Sequence, residues 1–258
     1  MSGSPSDACD LTLDPNTASR VLSLSEDNRK VTLVGEDQSY PDHPDRFDSW
    51  DQVLGREALT GRCYWEVEWE GWVEIGVTYR GITRRGRGDD SRLGWNNKSW
   101  SLYCYDGGYY AWYNGSRTDL PLRPAGSTRV GVYLDRPAGS LSFYRVSPGG
   151  GGSSDTLTHL HTFWSSFTQE DLLPGVGFWR VVVFWRRDGQ ELHEQVDPGE
   201  VLPNHDGTFQ VSVDLDLTAV PQEDWGRYEC VVQLKGIEDI PTPLDVSLLV
   251  SLQCNDHH

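Results

Sequence analysis

Residues that could perform chemistry are present in this chain, but few of them share the spacing that a catalytic or metal site needs. His159 and His161 lie two residues apart in THLHTF, so both imidazoles would project from one face of a strand. A metal site requires three or more converging ligands, and the spacing indicates no third. An ordinary half-exposed strand explains the pair, and we therefore predict no metal site.

Nucleophile and phosphate-binding patterns are equally incomplete. The chain has no Gly-x-Ser-x-Gly elbow of the kind that hydrolases use. The Gly-rich, basic segment at 81–88 follows a predicted strand but opens no helix, which a dinucleotide-binding loop requires. The charges of RRGRGDD, at 84–90, are expected to be solvated on a surface hairpin. The sequence therefore predicts neither enzymatic activity nor a cofactor.

Charge and apolar content limit the partners of the chain. The formal net charge is −17, which disfavours nucleic acids and anionic membrane surfaces. The longest apolar run near the end, at 248–252, is too short to span a bilayer. Residues 1–10 lack the apolar core of a secretory signal. We predict a chain without a membrane span that resides in the cytoplasm, with the cell surface as the alternative.

The cysteines form no pattern of a known site. A structural zinc site uses Cys-x-x-Cys pairs, and none occurs here. The odd number and irregular spacing do not imply a disulfide framework either. The five residues are Cys9, Cys63, Cys104, Cys230 and Cys254.

Six aromatic residues crowd the segment 103–113, around an Asp-Gly-Gly turn. Tyrosine and tryptophan dominate binding hot spots because they bury a large area at little cost in conformational entropy. We therefore predict a partner-binding surface here, with a polar rim from the loop at 42–50; packing of the aromatics within the fold is the alternative. The predicted binding residues are Tyr103, Tyr105, Tyr109, Trp112 and Arg46.

The pattern of alternation decides which of these residues point inward. In SWSLYCYD, at 99–106, Leu102 and Cys104 fall on one face of a strand, and Tyr103 and Tyr105 fall on the other. The apolar pair is expected to face a core. The two tyrosines are then expected to face solvent, where truncation would leave no cavity.

Alternation with a period of two residues runs from 63 to 146 and predicts antiparallel strands. In CYWEVEW, Cys63, Trp65, Val67 and Trp69 share one face. The 27 Gly and 14 Pro suit many short strands joined by turns. The sequence predicts an all-β fold.

Several ordered motifs in these strands resemble the PRY–SPRY family. LTLDPNTASRVLSLSEDNRKVTL at 11–33 is similar to the PRY segment, and GRCYWEVEW and VGVYLDRPAGSLSFYRV are similar to the SPRY body. The resemblance covers 9–179 and implies a bent sandwich of two antiparallel sheets whose variable loops bind a protein partner. In tripartite-motif relatives, aromatics at positions matching Tyr103 and Tyr105 line that surface. The usual last strand is missing, and RVVVFW stands in its place.

The sequence after 180 resembles a different family, the constant-type immunoglobulin domain of MHC class I heavy chains. Trp185 matches the core Trp of strand C, and Tyr228 stands two residues before Cys230, as in a tyrosine corner. The strand-B Cys is missing, since no Cys occurs between Cys104 and Cys230. We predict a partial domain at 180–250 that lacks strands A and B. Disorder is expected at 1–8, and a tail at 251–258.

The two resemblances leave three interpretations of function. The first is a non-enzymatic protein-interaction module that recognises targets in innate immunity or a ubiquitin pathway. The second is a fragment of an MHC class I-like surface chain, which the missing peptide-binding platform disfavours. The third is a fused gene model with no single function, which the loss of strands on both sides of one junction favours. The protein ligand and the oligomeric state stay open.

Overall fold

The computed structural model describes residues 7–192, 196–203, 209–215 and 220–235. The chain divides into two compact units, Met1–Trp179 and Arg180–His258.

The first unit begins with a short antiparallel hairpin. Strand β1 (Leu22–Ser25) pairs with β2 (Lys30–Leu33). Leu22 is fully buried beside Ala18 and Val53, so the apolar side of the hairpin is fastened to the rest of the unit.

A four-stranded antiparallel sheet forms one layer of the first unit. Its strand order is β11-β10-β9-β4, which places two consecutive hairpin partners, β9 and β10, at its centre. The four strands are β11 (Thr156–Trp164), β10 (Ser140–Ser147), β9 (Arg129–Asp135) and β4 (Arg62–Glu68).

A six-stranded antiparallel sheet forms the other layer. Its strand order is β3-β12-β5-β6-β7-β8, and a 3-10 helix at Asp89–Ser91 lies in the long loop between β5 and β6. The six strands are β3 (Gln52–Leu54), β12 (Leu172–Phe178), β5 (Val73–Tyr79), β6 (Ser99–Tyr105), β7 (Gly108–Tyr113) and β8 (Ser116–Asp119).

The main apolar core lies between these two sheets. Ile75 and Leu102 are cross-strand neighbours on the inner face of the six-stranded sheet, and both are buried. Val132 and Phe143 face them from the four-stranded sheet. The alternation in the sequence follows this burial, and the predicted all-β sandwich is confirmed.

Loops cover the outer face of the six-stranded sheet. A second apolar cluster there joins Phe47, Ile82 and Leu93 from loops to Leu54 and Leu173 from strands. Within this layer, Gln52 fastens the loop after β5, because its Nε2 donates to Ser91 O at 2.9 Å and its Oε1 accepts from Leu93 N at 2.8 Å. The six-stranded sheet is therefore buried on both faces near its centre.

A disulfide joins Cys9 to Cys63, a pair that the irregular spacing of the cysteines did not indicate. Ala8 forms a parallel bridge with Tyr64, and Cys9 N donates to Tyr64 O at 3.0 Å. This pairing lays the N-terminal segment along β4 with the two Cα atoms 5.5 Å apart, within the range that a disulfide spans. Sequence spacing alone does not reveal such a pairing.

The second unit contains two small antiparallel sheets. Strand β13 (Arg180–Arg187) pairs with β14 (Gln190–Glu191) and β17 (Tyr228–Lys235), while β15 (Val196–Pro203) pairs with β16 (Phe209–Leu215). A 3-10 helix at Gln222–Arg227 precedes β17.

The register of β13 and β17 sets Trp185 opposite Cys230 and Arg187 opposite Tyr228. The strand that carries Trp185 is therefore paired directly with the strand that carries Cys230. Arg187 also lies over the Tyr228 ring, 5.4 Å from its centroid. Residues 1–6, the tail at 251–258 with Cys254, and the side chain of Cys230 lie outside what the structure describes.

Candidate protein-interaction face

Aromatic side chains gather on the outer face of the six-stranded sheet, beside the apolar cluster. The register pairs Tyr103 with Tyr110 and Ser101 with Trp112, so these residues share the face that points away from the core. Two further rings reach it from the loop after β5 and from the end of β12. We call this surface the aromatic face; it comprises Trp95, Tyr103, Tyr105, Tyr110, Trp112 and Trp179.

Three tyrosines form a stack at one end of the aromatic face. The ring centroids of Tyr103 lie 5.8 Å from Tyr105 and 5.9 Å from Tyr110, and those two rings are 5.5 Å apart. The hydroxyl groups of Tyr105 and Tyr110 are hydrogen-bonded at 2.8 Å. Gly107 permits this arrangement, because a Cβ there would come within 2.4 Å of the Tyr105 ring.

An arginine holds the tryptophans together at the other end. Trp95 stacks on Trp112 with centroids 4.7 Å apart. The guanidinium of the buried Arg92 lies 3.9 Å from the Trp95 centroid, 4.8 Å from that of Trp179 and 4.7 Å from that of Trp50. Such cation–π contacts strengthen when the cation is desolvated. Trp179 also lies 4.4 Å from Tyr103, which joins the two ends into one network.

A buried carboxylate lies beneath these rings. Glu74 is 1% exposed, and its carboxylate accepts hydrogen bonds from Ser101 Oγ at 2.5 Å and from Trp179 Nε1 at 3.2 Å. Burial raises the pKa of Glu74, while the two hydrogen bonds and the charge of Arg92 act in the opposite direction. The carboxylate thus fixes the orientation of the Trp179 indole.

Gly94 allows the loop to close over Glu74. Its φ of +74° is in the left-handed region, and a Cβ would meet Ser101 Oγ at 2.3 Å and Trp112 Cβ at 2.8 Å. Both the backbone conformation and the close approach therefore require glycine.

The structure corrects the expected exposure of three predicted binding residues. Tyr103 is 5% exposed and Trp112 is 3% exposed, because the loop after β5 and Trp179 cover the middle of the face. Tyr109 lies on the inner face with Cys104 as its cross-strand neighbour, and it belongs to the core. Tyr105 alone among the four predicted aromatics is half-buried and open to contact.

Arg46 is not a rim residue. It is 5% exposed, and its Nη1 donates to Pro15 O and Ala18 O at 2.8 Å each. Its Nη2 donates to Pro41 O at 2.8 Å. Burial lowers the pKa of Arg46, and the neighbouring Arg20 acts in the same direction. Arg46 therefore fastens the loop at 41–46 to the segment before β1, a role that loop composition does not reveal.

Sequence reasoning missed the members of the network that come from outside β6 and β7. Alternation in VEIGVTY does place Glu74 on the outer face, so the pattern could have identified this residue. Trp50, Arg92, Trp95 and Trp179 lie in loops or at a strand end, where no period predicts orientation.

The described ranges hold neither a cluster of metal-binding side chains nor a membrane-spanning helix. No group of three or more His, Cys, Asp or Glu side chains there is arranged to hold a metal ion. Among the helices in the same ranges, none is long and apolar enough to cross a membrane.

Family models match most of the chain in three consecutive segments. The SPRY-associated domain (PRY) matches 11–59 and the SPRY domain matches 62–185. Residues 11–185 belong to the PRY–SPRY family. The immunoglobulin C1-set domain matches 177–237, which overlaps the end of the SPRY match and shows the likeness of the second segment to a constant-type immunoglobulin domain. The PRY–SPRY domain therefore carries the aromatic face.

Relatives of the PRY–SPRY domain include toxins and tripartite-motif proteins. Stonustoxin subunit beta of Synanceia horrida is 45% identical over 162 residues, which are 62% of this chain and 22% of that protein. Tripartite motif-containing protein 14 of Mus musculus is 40% identical over 173 residues, 65% of this chain and 37% of that protein. The chain thus spans well under half the length of these relatives.

A solved structure supports the fold assignment. The crystal structure of the TRIM65 PSpry domain matches with a TM-score of 0.58 at 28% identity, over 67% of this chain and 87% of that one. The match covers nearly the whole of that domain.

Proposed function

We propose that the PRY–SPRY domain binds a protein partner through the open tier of the aromatic face. That tier consists of the half-buried Trp95, Tyr105 and Tyr110, with Arg117 at its edge, 4.7 Å from the Tyr110 centroid. The observation that carries the proposal is the continuous stacking network, in which half-open rings rest on fully buried ones.

The buried tier makes the open tier a suitable binding surface. Tyr103, Trp112 and Trp179 are each at most 6% exposed and are locked by stacking and by Glu74. The half-open rings stack on these fixed rings, so they lose little conformational entropy when a partner covers them. A low entropy cost of this kind is what makes Tyr and Trp hot-spot residues. SPRY is a protein-interaction fold, and the proposal assigns that interaction to these residues.

The wider context of the interaction is also a proposal. Target recognition in innate immunity or a ubiquitin pathway is supported by the tripartite-motif relatives, and a toxin component is supported by the stonustoxin relatives. A non-enzymatic role is supported by the absence of a catalytic pattern in the sequence. The cytoplasmic location is supported by the tripartite-motif likeness, whereas the Cys9–Cys63 disulfide favours the cell-surface alternative, since disulfides persist in oxidising compartments.

A peptide-display library selected against the full chain tests the assignment. The selected peptides are then titrated against the wild type and against Tyr105→Ala and Trp95→Ala. We expect each substitution to weaken binding by about 2 kcal/mol or more, the usual threshold for a hot spot. Trp164→Ala is the matched control, because Trp164 is 74% exposed on the other sheet.

Thermal melts accompany the titrations. Tyr105→Ala and Trp95→Ala should lower the melting temperature only modestly, since both side chains are half-exposed. Peptides that bind both variants as tightly as the wild type, or that lose binding with Trp164→Ala instead, contradict the proposal.

A further inference from the structure

The segment at 7–10 covers one edge of the four-stranded sheet. Strand β4 is the last strand of that sheet, and its Tyr64 forms a parallel bridge with Ala8 and accepts a hydrogen bond from Cys9 N at 3.0 Å. An edge strand without such a cover presents unpaired backbone groups to other chains. The Cys9–Cys63 disulfide fastens this cover to β4 covalently.

The noncovalent side-chain contacts of the segment are weak. Tyr133 Oη donates to Asp7 Oδ2 at 3.4 Å, which is longer than a typical O–H···O hydrogen bond. The Asp10 carboxylate lies 2.7 Å from Arg29 Nη2, but the two side chains are 83% and 50% exposed. Ion pairs as exposed as this one contribute little to stability. The segment therefore depends on the disulfide for its position on β4.

Thr12 marks the point beyond which the chain is held without the disulfide. Thr12 N and Oγ1 donate to the two oxygens of the Glu57 carboxylate at 2.8 Å and 2.7 Å. Thr12 O accepts from Arg56 N at 2.9 Å, and Leu13 N donates to Asn28 O at 2.7 Å. Loss of the disulfide should therefore free the chain only as far as this anchor.

We propose that the Cys9–Cys63 disulfide is a redox-sensitive switch that closes the edge of β4 when it is oxidised and opens that edge when it is reduced. Reduction releases the segment at 7–10, while Thr12 keeps the rest of the chain in place. The core stays closed, because a buried Cys63 thiol packs as a small apolar side chain. Disulfides persist in oxidising compartments and are rare in the cytosol, so the compartment sets the state of the edge.

The exposure of the two cysteines determines how reduction proceeds. Cys9 is half-buried and Cys63 is fully buried, so an incoming thiolate reaches the Cys9 sulfur. Attack by one sulfur of a small dithiol forms a mixed disulfide with Cys9 and expels the Cys63 thiolate, which takes up a proton. The second sulfur of the dithiol then displaces Cys9. The dithiol is oxidised to a cyclic disulfide, and both cysteines become thiols.

Hydrogen exchange of the full chain, measured by mass spectrometry with and without dithiothreitol, tests the proposal. Alkylation of Cys9 and Cys63 shows that the disulfide has been reduced. We expect reduction to speed exchange at least about tenfold in peptides that cover 7–10 and β4, because local opening exposes their amides. Exchange in β9 and β10 should not change, and reoxidation should restore the original protection.

Matched variants separate the disulfide from the rest of the segment. Cys9→Ser should exchange as the reduced wild type does and should not respond to dithiothreitol. Ala8→Ser alters an exposed neighbour and keeps both cysteines, so it should behave as the wild type in both states. Equal exchange of the oxidised and reduced wild type overturns the proposal. Resistance of the disulfide to dithiothreitol in the folded chain, or loss of protection throughout 7–179 on reduction, overturns it too, since the disulfide is then a structural link rather than a local switch.

Discussion

The two faces of the six-stranded sheet are both buried, but by different chemistry. The inner face is apolar: Ile75, Leu102 and Cys104 pack against side chains of the opposite sheet. The outer face carries Glu74 and Ser101 within a cover of aromatic rings. A buried carboxylate such as Glu74 requires hydrogen-bond partners, whereas the apolar side chains of the inner face require only complementary shape.

The difference explains why the proposed binding surface lies on the outer face. An apolar core closes completely because a second sheet covers it. The outer face is covered by a loop and by Trp179, and this cover leaves Trp95, Tyr105 and Tyr110 half-open. The two faces should therefore contribute similarly to stability and differ in their response to pH.

Tyr103→Ala should cause the largest loss of stability. Tyr103 is 5% exposed and contacts Trp179, Tyr105 and Tyr110, so truncation leaves a cavity beneath the stack. We expect the free energy of unfolding to fall by about 3–5 kcal/mol, as for other buried aromatics. Urea unfolding measures it, with Trp164→Ala as the exposed aromatic control. A loss no greater than that of the control would mean that the stack is open to solvent.

Leu102→Ala should destabilise through the inner face. Leu102 is fully buried between the sheets, and a cavity there costs about 2–5 kcal/mol. Leu157, which is 41% exposed, provides the matched Leu→Ala control. At temperatures where Leu102→Ala remains folded, it should bind the selected peptides as the wild type does. Loss of peptide binding without loss of stability would contradict the division into a structural inner face and a binding outer face.

Gly94→Ala should destabilise by roughly 2 kcal/mol or more, from left-handed strain together with overpacking against Ser101 and Trp112. Gly71→Ala isolates the first contribution, because Gly71 has φ +75° but no atom within 4 Å of the added Cβ. Differential scanning calorimetry of the two variants compares them. Equal losses would mean that the loop at Gly94 yields easily and does not clamp the outer face.

Sequence pattern was sufficient for the strands but not for their cover. Alternation places Leu102 inward and Tyr103 outward, and both positions are confirmed. The wrong prediction was that Tyr103 is exposed. Its burial depends on a loop and on Trp179, which is distant in sequence. For the same reason, the sequence did not reveal the burial of Arg46 or the Cys9–Cys63 disulfide. Each depends on a contact between segments whose conformation has no period.

Glu74→Gln should change the pH dependence of stability by a smaller amount. The pKa of Glu74 in the folded state is raised above its ordinary value of 4.5, chiefly by burial. The folded state therefore holds this proton more tightly than the unfolded state, and stability falls as pH rises from 4.5 towards the raised value. One proton contributes at most about 1.4 kcal/mol per pH unit in that interval.

Gln keeps the shape of the side chain and can still accept a hydrogen bond from Trp179. The Glu74→Gln variant should therefore lose this slope and gain stability relative to the wild type as pH rises. Urea unfolding from about pH 4 to pH 8 measures the slope, with the exposed Glu70→Gln as control. Parallel profiles for Glu74→Gln and the wild type would mean that Arg92 and the two hydrogen bonds offset the burial of the carboxylate completely. The contribution of the outer face to stability would then be as independent of pH as that of the inner face.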